Sequence, residues 1–245
     1  ELKLFKQPFG RELELQFREE QPKISTADIQ AMGINGIISS FTTNFSASNY
    51  NRSYNIALAA GSLNNSLIKP GEEFSFNKKV GPRTAERGYR EAMIIVSNAF
   101  VPGLGGGVCQ VSTTLYNAVL LAGLEIVERS GHSLAVSYVP LGRDATVSYG
   151  SQDFKFRNNL ESPIYLKTSV GNGTLTMKIF GNKQQQKNVH LETVVDSVIS
   201  PKVTTREDAN LLKGKTVVEK AGAAGYRVRA YRIINGAKKQ LSRDY

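Results

Sequence analysis

A chain of 245 residues with 40% hydrophobic and 21% charged residues is long enough for two globular domains, or for one domain with flanking pieces. It contains no apolar run near the roughly 20 residues that cross a bilayer. A single cysteine and two histidines exclude an internal disulfide and a cysteine-rich zinc site, so neither a metal nor any other cofactor is expected. The net charge of +10, from 31 Lys+Arg against 21 Asp+Glu, favours polyanionic neighbours. The basic residues are scattered and no nucleic-acid motif accompanies them, which reads as a solvated basic surface and no nucleic-acid partner.

The chain starts at Glu1 without the basic-plus-apolar pattern of an export signal, so a membrane anchor is expected only outside this sequence. Residues 1–39 read as the tail of a preceding domain or as a lead-in. Leu13, Leu15 and Phe17 alternate with polar residues as in a half-buried strand, and Ser25 or Thr26 caps a short helix from Ala27 to Met32 that Gly33 ends. Ser40 to Phe45 predicts a strand. Ile56, Ala59, Ala60, Leu63 and Leu67 mark one face of a helix from about Arg52 to Leu67, broken by Lys69-Pro70-Gly71. Glu72 to Asn77 predicts a short strand, and an Arg-, Glu- and Gly-rich loop follows from Val80 to Ala92, expected to wrap a site.

Met93–Val96 and Ala99–Val101 predict two strands that turn near Asn98. Three glycines, Gly105, Gly106 and Gly107, then deliver Cys109 to the start of a helix running from about Val108 to Ala122. That helix is apolar on several faces and is expected to be central and buried. After it, β-like runs are read at Glu125–Arg129, Ala135–Val139, Ala145–Tyr149, Phe154–Phe156, Ile164–Val170 and Leu175–Phe180. Gly171-Asn172-Gly173 joins the last two as a hairpin. Helix first and sheet second argue an α+β domain, with the central helix packed on a mainly antiparallel sheet, over 40–184. A small all-β module over 185–245 carries strands at Val189–Val195 and Thr216–Lys220, and a long strand ending at an Asn235-Gly236 turn.

The chemistry centres on Cys109. A lone cysteine commonly sits in a core as an inert small hydrophobe. Here the first turn of a helix, with its unpaired N–H groups and positive dipole end, favours the thiolate. The glycines leave room for a substrate backbone, which makes Gly106 and Gly107 candidate binding residues. Cysteine catalysis also requires a base, a group that orients the base, and donors for an oxyanion. His132 lies on the far side of the helix and its return strand. A helix of about 15 residues spans roughly 22 Å, and about seven extended residues return a similar distance, so His132 can come back to the helix start.

The setting of His132 between Gly131 and Ser133, at a turn into a strand, argues for accessibility; His190 is the weaker candidate. Asp144 is the first choice to orient the imidazole, with Asp153 and Asn158 as alternatives. Backbone N–H groups at Cys109 suit an oxyanion, and Gln110 either assists there or only begins the helix. Arg83, Arg143 and Arg157 are candidate holders of a substrate carboxylate, on charge grounds.

The segments FSFNKKVGPRTAERGY, VPGLGGGVCQVSTTLYNAVLLAGLEIVERSGHS, YVPLGRDATVSYG and FKFRNN together resemble the VanW family over about Ser40 to Phe180. The stretch from about Val189 resembles the G-five module, a β-rich domain of wall-associated proteins. The first 40 residues resemble the tail of a domain that precedes VanW in membrane-anchored proteins of Gram-positive bacteria. The resemblance implies L,D-transpeptidation of peptidoglycan stem peptides at the extracellular face of the envelope. It implies Cys109 as nucleophile and His132 as base, and leaves Asp144 unassigned. Amino sugars or anionic wall polymers are the further partners it implies. A non-catalytic wall-binding scaffold and a cysteine peptidase acting on wall peptides are the competing expectations.

Overall fold

The computed structural model describes residues 25–96, 98–219 and 222–244. The strand expected over Leu13–Phe17 lies outside them. A capping box in which Ser25 and Asp28 bond each other's backbone starts helix α1, Thr26–Ala31. Strand β1, Gly36–Asn44, leads to helix α2, Tyr50–Leu63, which Asn49 caps. Strand β2, Ser66–Ile68, follows, then β3, Glu73–Ser75. The strand predicted to reach Asn77 ends earlier, because Ser75 accepts from Lys78 N–H and caps a short helix α3, Phe76–Val80.

Strands β4, Glu91–Val96, and β5, Ala99–Leu104, pair as a hairpin whose turn includes Asn98 at φ +60°. Helix α4, Val108–Leu121, is buried almost throughout, as its apolar faces predict. Strands β6, Glu125–Glu128, and β7, Lys155–Arg157, bracket a long irregular segment. Strands β8, Ile164–Gly171, and β9, Thr174–Gly181, form the predicted hairpin, with Asn172 and Gly173 both at positive φ.

The main sheet has the order β1-β9-β8-β2, and every pairing in it is antiparallel. Helices α2 and α4 pack on it and on each other. Buried hydroxyls pin the layers: Ser39 Oγ donates to Ala118 O at 2.8 Å, Thr43 and Thr114 share a hydrogen bond of 2.8 Å, and Thr168 donates to Ala60 O at 2.9 Å. A second sheet, β3-β7-β6, carries an aromatic column behind α4. Phe74 and Phe156 lie 5.1 Å apart, Phe156 and Phe154 5.9 Å, and Tyr116 meets Phe154 edge-on at 5.5 Å.

The runs read as strands over 135–139 and 145–149 form no strand. Ser130 and Thr146 make one isolated bridge and Ser148 and Gln152 another, and the rest is turns held by side chains. Of the apolar residues there, Val139, Ala145 and Val147 are buried while Ala135 and Tyr149 are exposed. The terminal module is a three-stranded antiparallel sheet of β10, Val189–Ile199, β11, Gly225–Ile234, and β12, Ala237–Asp244. The strand expected from Thr216 is absent over its described residues, 216–219, which lie in the long connection between β10 and β11. Among the described residues no helix is long and apolar enough to cross a membrane.

Phe154 is fully buried and touches both Tyr116 on α4 and Phe156. Phe154→Ala should destabilise the fold by about 3–5 kcal/mol in chemical denaturation. A loss below about 1 kcal/mol would contradict the role of this column in seating α4.

Candidate active site

Cys109 is the second residue of α4. No side chain caps this helix; its N-cap is Gly107, at φ +106°. The N–H groups of Val108 and Gln110 bond the carbonyls of Gly105 and Gly107 at 3.1 and 3.0 Å. Among the described residues no such backbone acceptor meets the N–H of Cys109, as is usual in the first turn of a helix. The glycines have a different use from the one read in the sequence. A Cβ on Gly106 would lie 2.6 Å from Met93 O, and one on Gly107 3.0 Å from Arg52 and Ile56 side chains. The space their missing side chains leave is filled by β4 and α2 rather than held open for substrate. Close approach of those elements sets the position of the cysteine.

Gln110 is likewise occupied. It is buried, its Nε2 donates to Thr43 Oγ1 and Asn44 O at 2.9 Å each, and its Oε1 accepts from Arg52 Nη2 at 2.6 Å. These bonds lock α4 to β1 and α2 and aim Arg52, so Gln110 acts as a structural tie. It offers no free donor to an oxyanion.

The return along β6 brings His132 back beside Cys109, close enough for each side chain to act on the other's charge. Asp144 completes the set: its Oδ2 accepts both from His132 Nδ1 and from His132 N–H, each at 2.6 Å. The expectation of an accessible histidine is corrected here, because the His132 side chain is only 4% exposed. Asp144 Oδ1 accepts in addition from Arg129 Nη2 at 3.0 Å, and Arg129 Nε donates to the Asp144 carbonyl at 2.6 Å.

Burial drives the Cys109 thiol up, but the hydrogen bond and charge of His132 outweigh it and bring the thiol below its usual range. The Val147 backbone and the Thr146 hydroxyl, 3.6 Å from Sγ, act in the same direction. Burial pushes His132 down, and Asp144 together with Cys109 more than reverses that, to about 9. Asp144 is held below its usual value against its own burial by His132 and Arg129. The arrangement therefore favours thiolate over thiol and keeps His132 as imidazolium near neutrality, with the Asp144 carboxylate behind it.

Two further cations act on the sulfur through their charge. Arg52 and Arg83 both feel the Cys109 charge from partly buried positions. Arg83 packs over the Phe76 ring, donates through Nη1 to Gly81 O at 3.0 Å and keeps a buried Nη2 without a partner among the described residues. The other two arginines are engaged elsewhere. Arg143 donates to Asn117 Oδ1 at 2.9 Å and lies over Phe41, while Arg157 pairs with Glu73 and Glu125 on the second sheet.

Asp153 caps the α3 region by accepting from Ser75 and from the Asn77 and Phe154 N–H groups, and Asn158 bonds Ile68 and Ser162 carbonyls. Both are structural. His190 is paired in β10, opposite Ile233. Sequence reading missed Arg52, Arg129 and Tyr138; the last is half-buried and interacts with Thr113 and Cys109. An arginine one turn into a helix, or at a strand end, carries no local signal of what its guanidinium reaches.

His132→Ala leaves burial as the main influence on the thiol. Alkylation of Cys109 by iodoacetamide at pH 7 should then fall by about tenfold or more, with the acid limb of the rate profile moving toward higher pH. In the unsubstituted protein the acid limb should lie below that of an ordinary thiol, with a further change at the imidazolium deprotonation near pH 9. Identical profiles for the two proteins would contradict the pairing.

The family model described as "VanW like protein" matches residues 51–180, and the "G5 domain" model matches 190–243. The uncharacterized protein YoaR of Bacillus subtilis (strain 168) is 46% identical over 142 residues, 58% of this chain and 47% of that protein. The vancomycin B-type resistance protein VanW of Enterococcus faecalis (strain ATCC 700802 / V583) is 33% identical over 141 residues, 56% of this chain and 51% of that protein. The chain thus spans about half the length of the curated relatives it matches. No solved structure matches it significantly. With a family model covering more than half of its residues, including every member of the Cys109, His132 and Asp144 set, the chain belongs to the VanW family and continues into a G-five module.

Proposed function

We propose that the protein is a cell-wall cysteine acyltransferase that cross-links peptidoglycan stem peptides by L,D-transpeptidation. The observation that carries this reading is Cys109 at a helix start beside His132, whose Nδ1 and backbone N–H both donate to Asp144 Oδ2 at 2.6 Å. Membership of the VanW family and the adjoining G-five module support a wall-associated setting, and the family resemblance supplies the reaction class.

In the proposed reaction the Cys109 thiolate attacks the carbonyl carbon of an L-configured centre in the donor stem, at the bond to its terminal D-residue. The C–S bond forms as the carbonyl pair moves onto oxygen, where the Cys109 N–H donates. Collapse of this tetrahedral species breaks the C–N bond, and the His132 imidazolium gives its proton to the departing amine. A thioester and a neutral imidazole remain. The acceptor stem's side-chain amine then attacks the thioester and gives its proton to His132. The new amide forms and the thiolate leaves beside the restored imidazolium. Asp144 stays ionised throughout, holding the ring with Nδ1 protonated so that Nε2 carries the proton traffic. Arg83, with its unpartnered Nη2, and Arg52 are the cations best placed to hold the donor's free carboxylate.

Incubation of the protein with tetrapeptide-stem muropeptides, followed by intact-mass spectrometry, tests the reading. The expected result is a thioester adduct on the wild type, absent from Cys109→Ala, together with new cross-linked dimers. Shortened monomers without dimers would assign a cysteine peptidase instead. No adduct and no product, with a thiol unreactive toward small alkylating agents, would overturn catalysis and leave a wall-binding scaffold.

A further inference from the structure

The segment that carries both His132 and Asp144 has no helix or strand between the Ser130–Thr146 bridge positions. Its shape therefore depends on the side chains that hold it and on the surface it lies against. Arg129, just before it, is the principal holder. Its Nη2 and Nε bind Asp144, while its Nη1 donates to both carboxylate oxygens of Asp244 at 2.7 and 2.9 Å. Asp244 belongs to β12 of the terminal module. The arginine side chain is 7% exposed, so its charge is shared between two acids and little water.

The same module supplies the surface behind the segment. Gly142, at φ +74°, lies so close to β11 and β12 that an added Cβ would sit 3.1 Å from Val228, 3.5 Å from Ala230 and 3.6 Å from Asp244 Oδ2. Arg232 of β11 donates through Nη1 to Leu124 O at 2.6 Å, anchoring the module to the end of α4. The Tyr116 ring lies 5.7 Å from the Arg129 guanidinium, and Ser242 donates to Asp244 at 3.3 Å.

We infer that the terminal β module is a working part of the thiol-activating site, with Asp244 as a positioning residue that holds Arg129, and through it Asp144 and His132. The inference rests on the acyl-transfer reading of Cys109. Without the Asp244 carboxylate, a buried guanidinium loses one of its two acids and draws in on Asp144. The Asp144 oxygen that orients the imidazole then shifts away from Nδ1, and the imidazolium no longer holds the thiolate as well. The charged and titratable groups facing this position are Asp144, His132, Tyr116 and Arg232 as well as Arg129 itself.

The test uses the full chain with Asp244→Ala, Asp244→Asn and Asp244→Glu, and Glu192→Gln as a control that removes only the exposed Glu192–Lys238 pair of the same module. The readout is the pH profile of Cys109 alkylation, alongside thermal melting. Asp244→Ala and Asp244→Asn are expected to alkylate about tenfold more slowly at pH 6, as for other groups that orient a functional histidine. Asp244→Glu should recover most of the rate, and Glu192→Gln should match the wild type. Asp244→Asn preserves the side-chain shape and carries the comparison if Asp244→Ala does not fold. Lower melting temperatures with an unmoved profile would mean a merely structural ion pair and overturn the inference. An acid-shifted wild-type thiol with unaffected Asp244 variants would overturn it alone, whereas an ordinary thiol titration in the wild type would overturn the acyl-transfer reading beneath it.

Discussion

The structure depends on a largely buried row of charges that alternate in sign: Asp244, Arg129, Asp144, His132 and Cys109. Arg129, Asp144, His132 and Cys109 taken singly would each be driven toward neutrality by loss of water. The opposite charges beside these four move each of them back toward its ionised form. This constraint explains why a thiol flanked by apolar packing is nonetheless acid-shifted, and why a histidine buried almost completely remains protonated near neutrality. It also ties the chemistry to the fold, since the row runs from the start of α4 to the last described strand of the terminal module.

Everything else positions that row. The main sheet and α2 hold α4 by buried hydroxyl bonds, and Gly106 and Gly107 let β4 and α2 come close enough to fix where the helix begins. Gln110 extends the same logic, bonding β1 on one side and aiming Arg52 on the other. The sulfur consequently lies in a positive field made by His132, Arg52, Arg83 and the helix start. Rigid mounting of this kind removes the reorganisation that a surface cysteine would need before reacting.

Much of this was legible in the residues. Glycines before Cys109, an apolar run behind it, and a return length matched to the helix pointed to a thiol at a helix start with His132 beside it. The hairpin at Gly171-Asn172-Gly173 followed from its turn chemistry. What the sequence could not display was which spaces the glycines would leave open, because that depends on β4 and α2 arriving from other parts of the chain. The paths over 135–139 and 145–149 read as strands from their alternation, but they hold no ladder: Val139, Ala145 and Val147 are buried while Ala135 and Tyr149 are exposed, and Ala145 is held by bonds to Ser112 and Thr113 of α4. Arg129 looked like the end of a strand, and only the docking of β12 reveals that its guanidinium joins two acids. Arg157, attractive as a charge near the right motif, is neutralised by Glu73 and Glu125 on the second sheet.

The protonation state of His132 tests the central claim most directly. Nitrogen-15 NMR of the imidazole, assigned with the help of the single other histidine, His190, reads both ring nitrogens at once. The account predicts both nitrogens protonated at pH 7.5, losing a proton only near pH 9, with that midpoint falling when Cys109 is replaced by Ala. A ring that is neutral at pH 7.5 and titrates near the ordinary histidine value of about 6.5, indifferent to Cys109, would contradict it.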